Sequence, residues 1–124
     1  MVFIRDEKRP QCPMGIYEAA LQSVDEREHN DYGKYLLLIF AVDVTQDNNS
    51  TQFEVSHACS LSLSANSKLR KAINGLLGRD MTQDEAKAGI DVEKLIGSSC
   101  NVLVSSVEGK DGDTYSRVES VLPS

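Results

Sequence analysis

A chain of 124 residues, 40% hydrophobic and 26% charged, fits one globular domain with a packed core and lies outside the charge-rich, apolar-poor regime of disordered chains. Its net charge of -6 argues against a protein that grips nucleic acid through a broadly basic surface. The longest strongly apolar run, Tyr35 to Val42, falls well short of the roughly 20 residues a membrane helix requires, so it reads as a buried strand and no membrane partner is expected.

Residues 1–13 mix charges with Pro10 and Pro13 and show no periodicity. A flexible N-terminal arm is expected there, followed by a single domain over residues 14–124. Met1 to Pro10 carries charges where a secretory signal needs its apolar centre. Cys12, Cys59 and Cys100 are odd in number and widely spaced, which reads as reduced thiols in a cytoplasmic protein, with Cys59 and Cys100 acting as small buried apolar groups.

Gly15 to Val24 opens on a glycine and reads as a first strand, and Asp25 to Gly33 as a polar connection with turn residues Asn30, Asp31 and Gly33. Lys34 to Val44 is the clearest strand. Leu36, Leu38, Phe40, Val42 and Val44 alternate with Tyr35, Leu37, Ile39 and Ala41, so both faces are expected to be largely covered. Gln46 to Ser50 reads as a loop, and Thr51 to Leu61 as a third strand with Phe53, Val55, His57, Cys59 and Leu61 on one side.

From Asn66 the period lengthens. Leu69, Ile73, Leu76 and Leu77 recur at helical spacing, with Ser64 or Asn66 as the cap and Gly78 as the stop. Thr82 and Glu85 have capping-box spacing and Asp91 begins another turn, so two brief helical pieces are expected within 80–97, the second ending at Gly97. Ser98 to Glu108 alternates as a fourth strand, Gly109 to Asp113 is a hairpin turn, and Thr114 to Leu122 is a fifth strand ended by Pro123.

Three strands, a helical connection and a final hairpin is the element order of the OB-fold. The expected class is therefore mainly β: an OB-fold-like five-stranded Greek-key barrel with a helix between strands 3 and 4. Such barrels bind oligonucleotides or oligosaccharides across strands 2 and 3, flanked by the loops joining strands 1 to 2 and 4 to 5. Here those loops are Asp25 to Gly33 and Gly109 to Asp113.

Specific motifs carry a further resemblance. Gly15-Ile16-Tyr17, Tyr32-Gly33-Lys34, the block Leu61-Ser62-Leu63-Ser64-Ala65-Asn66-Ser67-Lys68-Leu69-Arg70-Lys71, then Gly78-Arg79-Asp80-Met81-Thr82 with Glu85, and Leu95-Ile96-Gly97 together span most of residues 14–123. In these the chain resembles phage and prophage replication-module proteins described as single-stranded-DNA-binding and OB-like, most specifically over Leu61 to Thr82. The resemblance implies a DNA-binding accessory role beside replication or recombination proteins. One departure is the absence of tryptophan, which the relatives often carry in the second strand.

Binding a single strand takes a cationic groove for phosphates and exposed aromatic faces for bases, each stacked base contributing about 1–3 kcal/mol. Tyr32, Tyr35 and Tyr115 are the stacking candidates, while Phe53 is assigned to the core. Lys34, Lys68, Arg70, Lys71, Arg79 and Arg117 are the phosphate candidates. Four of these lie in Asn66 to Arg79, a stretch without Asp or Glu; the plainer reading of Lys68 to Lys71 is a solvated helix face.

His57, Cys59 and Cys100 lack the close paired spacing of zinc ligands, and Asp111 and Asp113 are explained by their turn, so neither metal nor cofactor is expected. Phosphate-binding glycine loops, nucleophile elbows and H-E-x-x-H are missing, which points away from catalysis. The rival to DNA binding is an OB-like adaptor that binds protein or self-assembles as an oligomer, a reading favoured by the acidic net charge and the missing tryptophan.

Overall fold

The computed structural model describes residues 12–31, 33–46, 48–108, 112 and 114–124. Five strands form one antiparallel sheet: β1 (Gly15–His29), β2 (Gly33–Gln46), β3 (Asn49–Ser60), β4 (Ser99–Glu108) and β5 (Thr114–Leu122). Between β3 and β4 lie helix α1 (Lys68–Leu77), the short helix α2 (Gln83–Ala88) and a 3-10 turn at Val92–Leu95. The strand order is β3-β2-β1-β4-β5. Among the described residues no helix is long and apolar enough to cross a membrane.

The alternation seen in the sequence becomes the inner face of this sheet. Leu38, Phe40 and Val42 of β2 are fully buried, and Leu21, Val55, Cys59, Val102, Val104 and Val118 join them from the other strands. Each fully buried Val, Leu or Phe side chain contributes about 1.5–3 kcal/mol relative to leaving it in water. The outer face of β2 differs from expectation: Tyr35, Leu37, Ile39 and Ala41 are half-buried, because among the described residues no helix packs across them and the neighbouring strands shelter them.

Central strand β1 serves both halves of the sheet, with Gly15 to Ala20 pairing with β4 and Ala19 to His29 with β2. One extra residue between Leu21 and Ser23 bulges the strand, which bends it and restores Val24 to the inner face. A second irregularity at Leu103/Val104 bends the β4–β5 pair.

Here the expected connection Asp25 to Gly33 is overturned in part: Asp25 to His29 continue β1 as a two-stranded ribbon with β2, leaving a short turn. Backbone pairing needs no apolar side chains, so a charged sequence hid the strand. The loop Gln46 to Ser50 likewise shrinks to a tight turn in which Asn48 takes a φ of 66°, a conformation asparagine tolerates.

Helix α1 is capped at its start by Ser67, not by Ser64 or Asn66, with the Ser67 hydroxyl accepting from the Arg70 amide. Gly78, at a φ of 73°, ends it as expected. Thr82 and Glu85 form the capping box that starts α2, and Asp91 caps the 3-10 turn. The apolar stripe of α1, Leu69, Ala72, Ile73 and Leu76, is buried and packs mainly against β5 and also β3.

The expected closed barrel is not completed by backbone pairing: β3 and β5 approach each other but form no ladder, and each pairs on one side only. Helix α1 packs against both strands at this seam. His57 of β3 donates across it to the carbonyl of Val118 of β5, at 2.9 Å. Chain preceding β1 is also tied down, since Cys12 is buried in the core and its carbonyl accepts from the Ser116 hydroxyl at 2.7 Å. Residues 1–11 of the expected arm lie outside the described residues.

Gly75 shows how closely α1 seats. A Cβ placed there would lie 2.5 Å from the Val121 carbonyl oxygen, a distance no side chain tolerates without backbone movement. Helix propensity alone would make Gly75→Ala stabilising by about 1 kcal/mol. Overpacking reverses the sign, and the variant is expected to lose about 1–3 kcal/mol in urea unfolding. An unchanged or higher midpoint would show that α1 does not rest on β5 in this way.

Candidate nucleic-acid interface

On the outer surface of β2 and β3 the facing side chains differ in size. Tyr35, Leu37 and Ile39 stand opposite Ser60, Ala58 and Ser56, so an aliphatic ridge borders a strand of small side chains. On the other side of the ridge, Arg27, Asp25 and Ser23 of β1 face the same three residues. Charge there is mixed and more acidic than basic: Arg27 pairs with Asp25 at 3.5 Å, while Glu54 accepts from Gln22 at 3.1 Å and Asp43 is exposed.

Beyond β3 lies the seam with β5, where the cations collect. His57 is buried, and its Nδ1 must donate to Val118, because a carbonyl only accepts. Burial holds its imidazole below the ordinary value of 6.5; the charges of Lys68 and Arg117 push the same way, and the bond to Val118 opposes them. Lys68 opens α1 and Arg117 lies on β5, both exposed, so two distant parts of the chain bring positive charge to one buried group. Tyr115, half exposed at 51%, shares the outer face of β5 with Arg117, since the buried Val118 marks the inner one.

The other candidates divide. Lys71 is exposed on α1 and lines a shallow cleft with Arg79. Arg70, one residue earlier, is turned into the protein: its guanidinium donates to the carbonyls of Leu63 and Met81, both at 3.2 Å, clamping the chain on either side of α1. Arg79 is held by Glu85 through two bonds of 2.7 and 3.0 Å, and this partner with the Thr82 amide draws the Glu85 carboxyl down to about 2. Lys34, on the β1–β2 ribbon, is 4.0 Å from Glu26. Tyr35 sits on the ridge, and Tyr32 lies outside the described residues, as does most of the expected turn Gly109 to Asp113.

The structure therefore brings Lys68, Arg117 and Tyr115 to one border of the sheet, whereas Arg70 and Arg79 serve contacts within the protein. His57 joins the two strands, a role the sequence did not announce. Its phase with Val55 and Cys59 marked it as inward, but nothing local named Val118 as its partner. Cys59 and Cys100 are buried thiols whose surroundings push them up to about 11, which makes them unreactive at neutral pH. Among the described residues no group of three His, Cys, Asp or Glu is placed to hold a metal. In comparison with known proteins, the chain matches no family model and no curated protein.

The His57 arrangement sets a pH dependence. Its folded value lies below the unfolded one, so the unfolded chain takes the proton first as pH falls. Stability is intact above about 6.5 and declines below it, by at most about 1.4 kcal/mol per pH unit for one proton. Thermal unfolding of the native protein and of His57→Phe between neutral and mildly acidic pH should differ by this slope. Parallel curves would mean that His57 is solvated and does not bridge β3 to β5.

Proposed function

We propose that the protein is a non-catalytic, OB-type accessory protein that binds single-stranded DNA within a phage-type replication or recombination module. The strand order and the helix after β3 support the OB reading, since they follow the connectivity of that fold even without a β3–β5 ladder. The resemblance over Leu61 to Thr82 supports the phage context. The observation that carries the DNA reading is the convergence of Lys68 and Arg117 on the β3–β5 seam, with Tyr115 on the same strand face.

A single strand crossing the outer face between β5 and β2 would meet phosphate partners at Lys68 and Arg117 and aromatic faces at Tyr115 and Tyr35. The small side chains of β3 let the backbone approach closely. On this reading Lys68 and Arg117 must outweigh exposed Glu54 on β3 and Glu119 on β5 in a chain of net charge -6.

Fluorescence anisotropy with labelled oligo-dT at about 50 mM salt should show saturable binding that weakens steeply as salt rises. Replacing Lys68 and Arg117 together by alanine should reduce the salt slope by about 2, one unit for each lost phosphate contact. Undiminished binding in that variant, or none in the native protein at tens of micromolar, would remove this reading.

A second reading is supported by the half-exposed aliphatic ridge of β2, which suits association with a second copy better than contact with phosphate. In that case light scattering behind size exclusion should show a mass that doubles with concentration and returns to the monomer in Ile39→Glu. A concentration-independent monomer mass would discard it.

A further inference from the structure

A cavity of about 320 Å³ opens where the β1–β2 ribbon leaves the sheet and meets the connection around α1. Its walls are aliphatic and come from separate parts of the chain: Leu36 from β2, Leu61 after β3, Leu69 from α1 and Val92 from the 3-10 turn. Leu61 is 49% exposed, which leaves one wall accessible. The volume lies at the low end of the roughly 300–1,000 Å³ of ligand sites, enough for one large side chain.

The lining charges have a single sign. Glu26, Asp91 and Glu93 line the cavity from two sides, all three exposed, and among the described residues no lysine, arginine or histidine lines it. Asp91 spends one oxygen on the Glu93 amide, and Glu26 has Lys34 at a loose 4.0 Å. A polyanion or an acidic peptide would be repelled, whereas a basic segment would bring its cations beside three solvent-exposed carboxylates. Lys68, Arg117 and Tyr115 are not among its lining residues, so the cavity is separate from the seam.

From this combination we infer that the cavity is a docking site for a basic peptide segment of a partner protein. The segment inserts one aliphatic or aromatic side chain between flanking lysines or arginines. The apolar anchor supplies contact with Leu36, Leu61, Leu69 and Val92, and the flanking cations meet the three carboxylates. Because those carboxylates are exposed, the attraction is screened by salt over a Debye length of about 8–10 Å.

The probe is the synthetic peptide acetyl-Lys-Arg-Leu-Phe-Arg-Lys-amide, titrated into the isotopically labelled full chain and followed by amide chemical shifts. Saturable shifts should centre on Leu61, Ile90 and Val92. Affinity should fall at least about tenfold in Glu26→Lys with Glu93→Lys, where two of the three lining carboxylates are reversed. Leu61→Ser, at an exposed position, should weaken binding several-fold while the amide spectrum remains dispersed. A counterpart peptide with glutamate in place of each cation should not bind. Equal binding of that counterpart, shifts centred elsewhere, or displacement of the peptide by oligo-dT would overturn the proposal. Loss of oligo-dT binding in the Lys68 and Arg117 variant leaves this result untouched, so the two readings fail separately.

Discussion

Edge strands β3 and β5 each find a backbone partner on one side only, and the fold depends on how the open seam between them is filled. An unpaired edge invites other strands, so it has to be covered. Helix α1 provides cover by laying Leu69, Ala72, Ile73 and Leu76 against both strands, and Gly75 lets it approach the backbone of Val121. His57 adds a hydrogen bond across the gap where a ladder would have run. The bulges in β1 and between β4 and β5 bend the sheet enough for its two edges to approach.

That same seam organises the candidate site. A cation at the start of α1 and another on β5 would be unrelated surface charges if the sheet were flat. Curvature and the helix bring both within electrostatic reach of a buried imidazole. Exposed carboxylates lie on these strands too, Glu54 on β3 and Glu119 on β5, so the positive charge that Lys68 and Arg117 bring to the seam is local.

Much of the architecture was legible in the chain. Period-two alternation located β2, β3, β4 and β5, the helical spacing of Leu69, Ile73 and Leu76 located α1, and Thr82 with Glu85 marked the start of α2. The second half of β1 was hidden, because Asp25 to His29 pair through backbone groups and carry the charged side chains of an exposed ribbon. The site was less visible. Lys68, Arg70, Lys71 and Arg79 look alike in a sequence, yet Arg70 spends its donors on Leu63 and Met81, and Arg79 spends its own on Glu85 and Asp80.

Local pattern was therefore sufficient for the five strands, the helix after the third and the burial of Cys59 and Cys100, since these follow from side-chain period and apolar character over a few residues; Leu61, expected on the apolar side of strand 3, lies beyond its end and is half exposed. Which edges meet, which cations stay available to a ligand, and how a cavity with a carboxylate rim arises were matters of contacts between residues far apart in the chain. His57 and Val118 are 61 positions apart. No local rule couples them; they meet because burying the inner faces of five strands and one helix in a single core leaves few ways to fold the sheet.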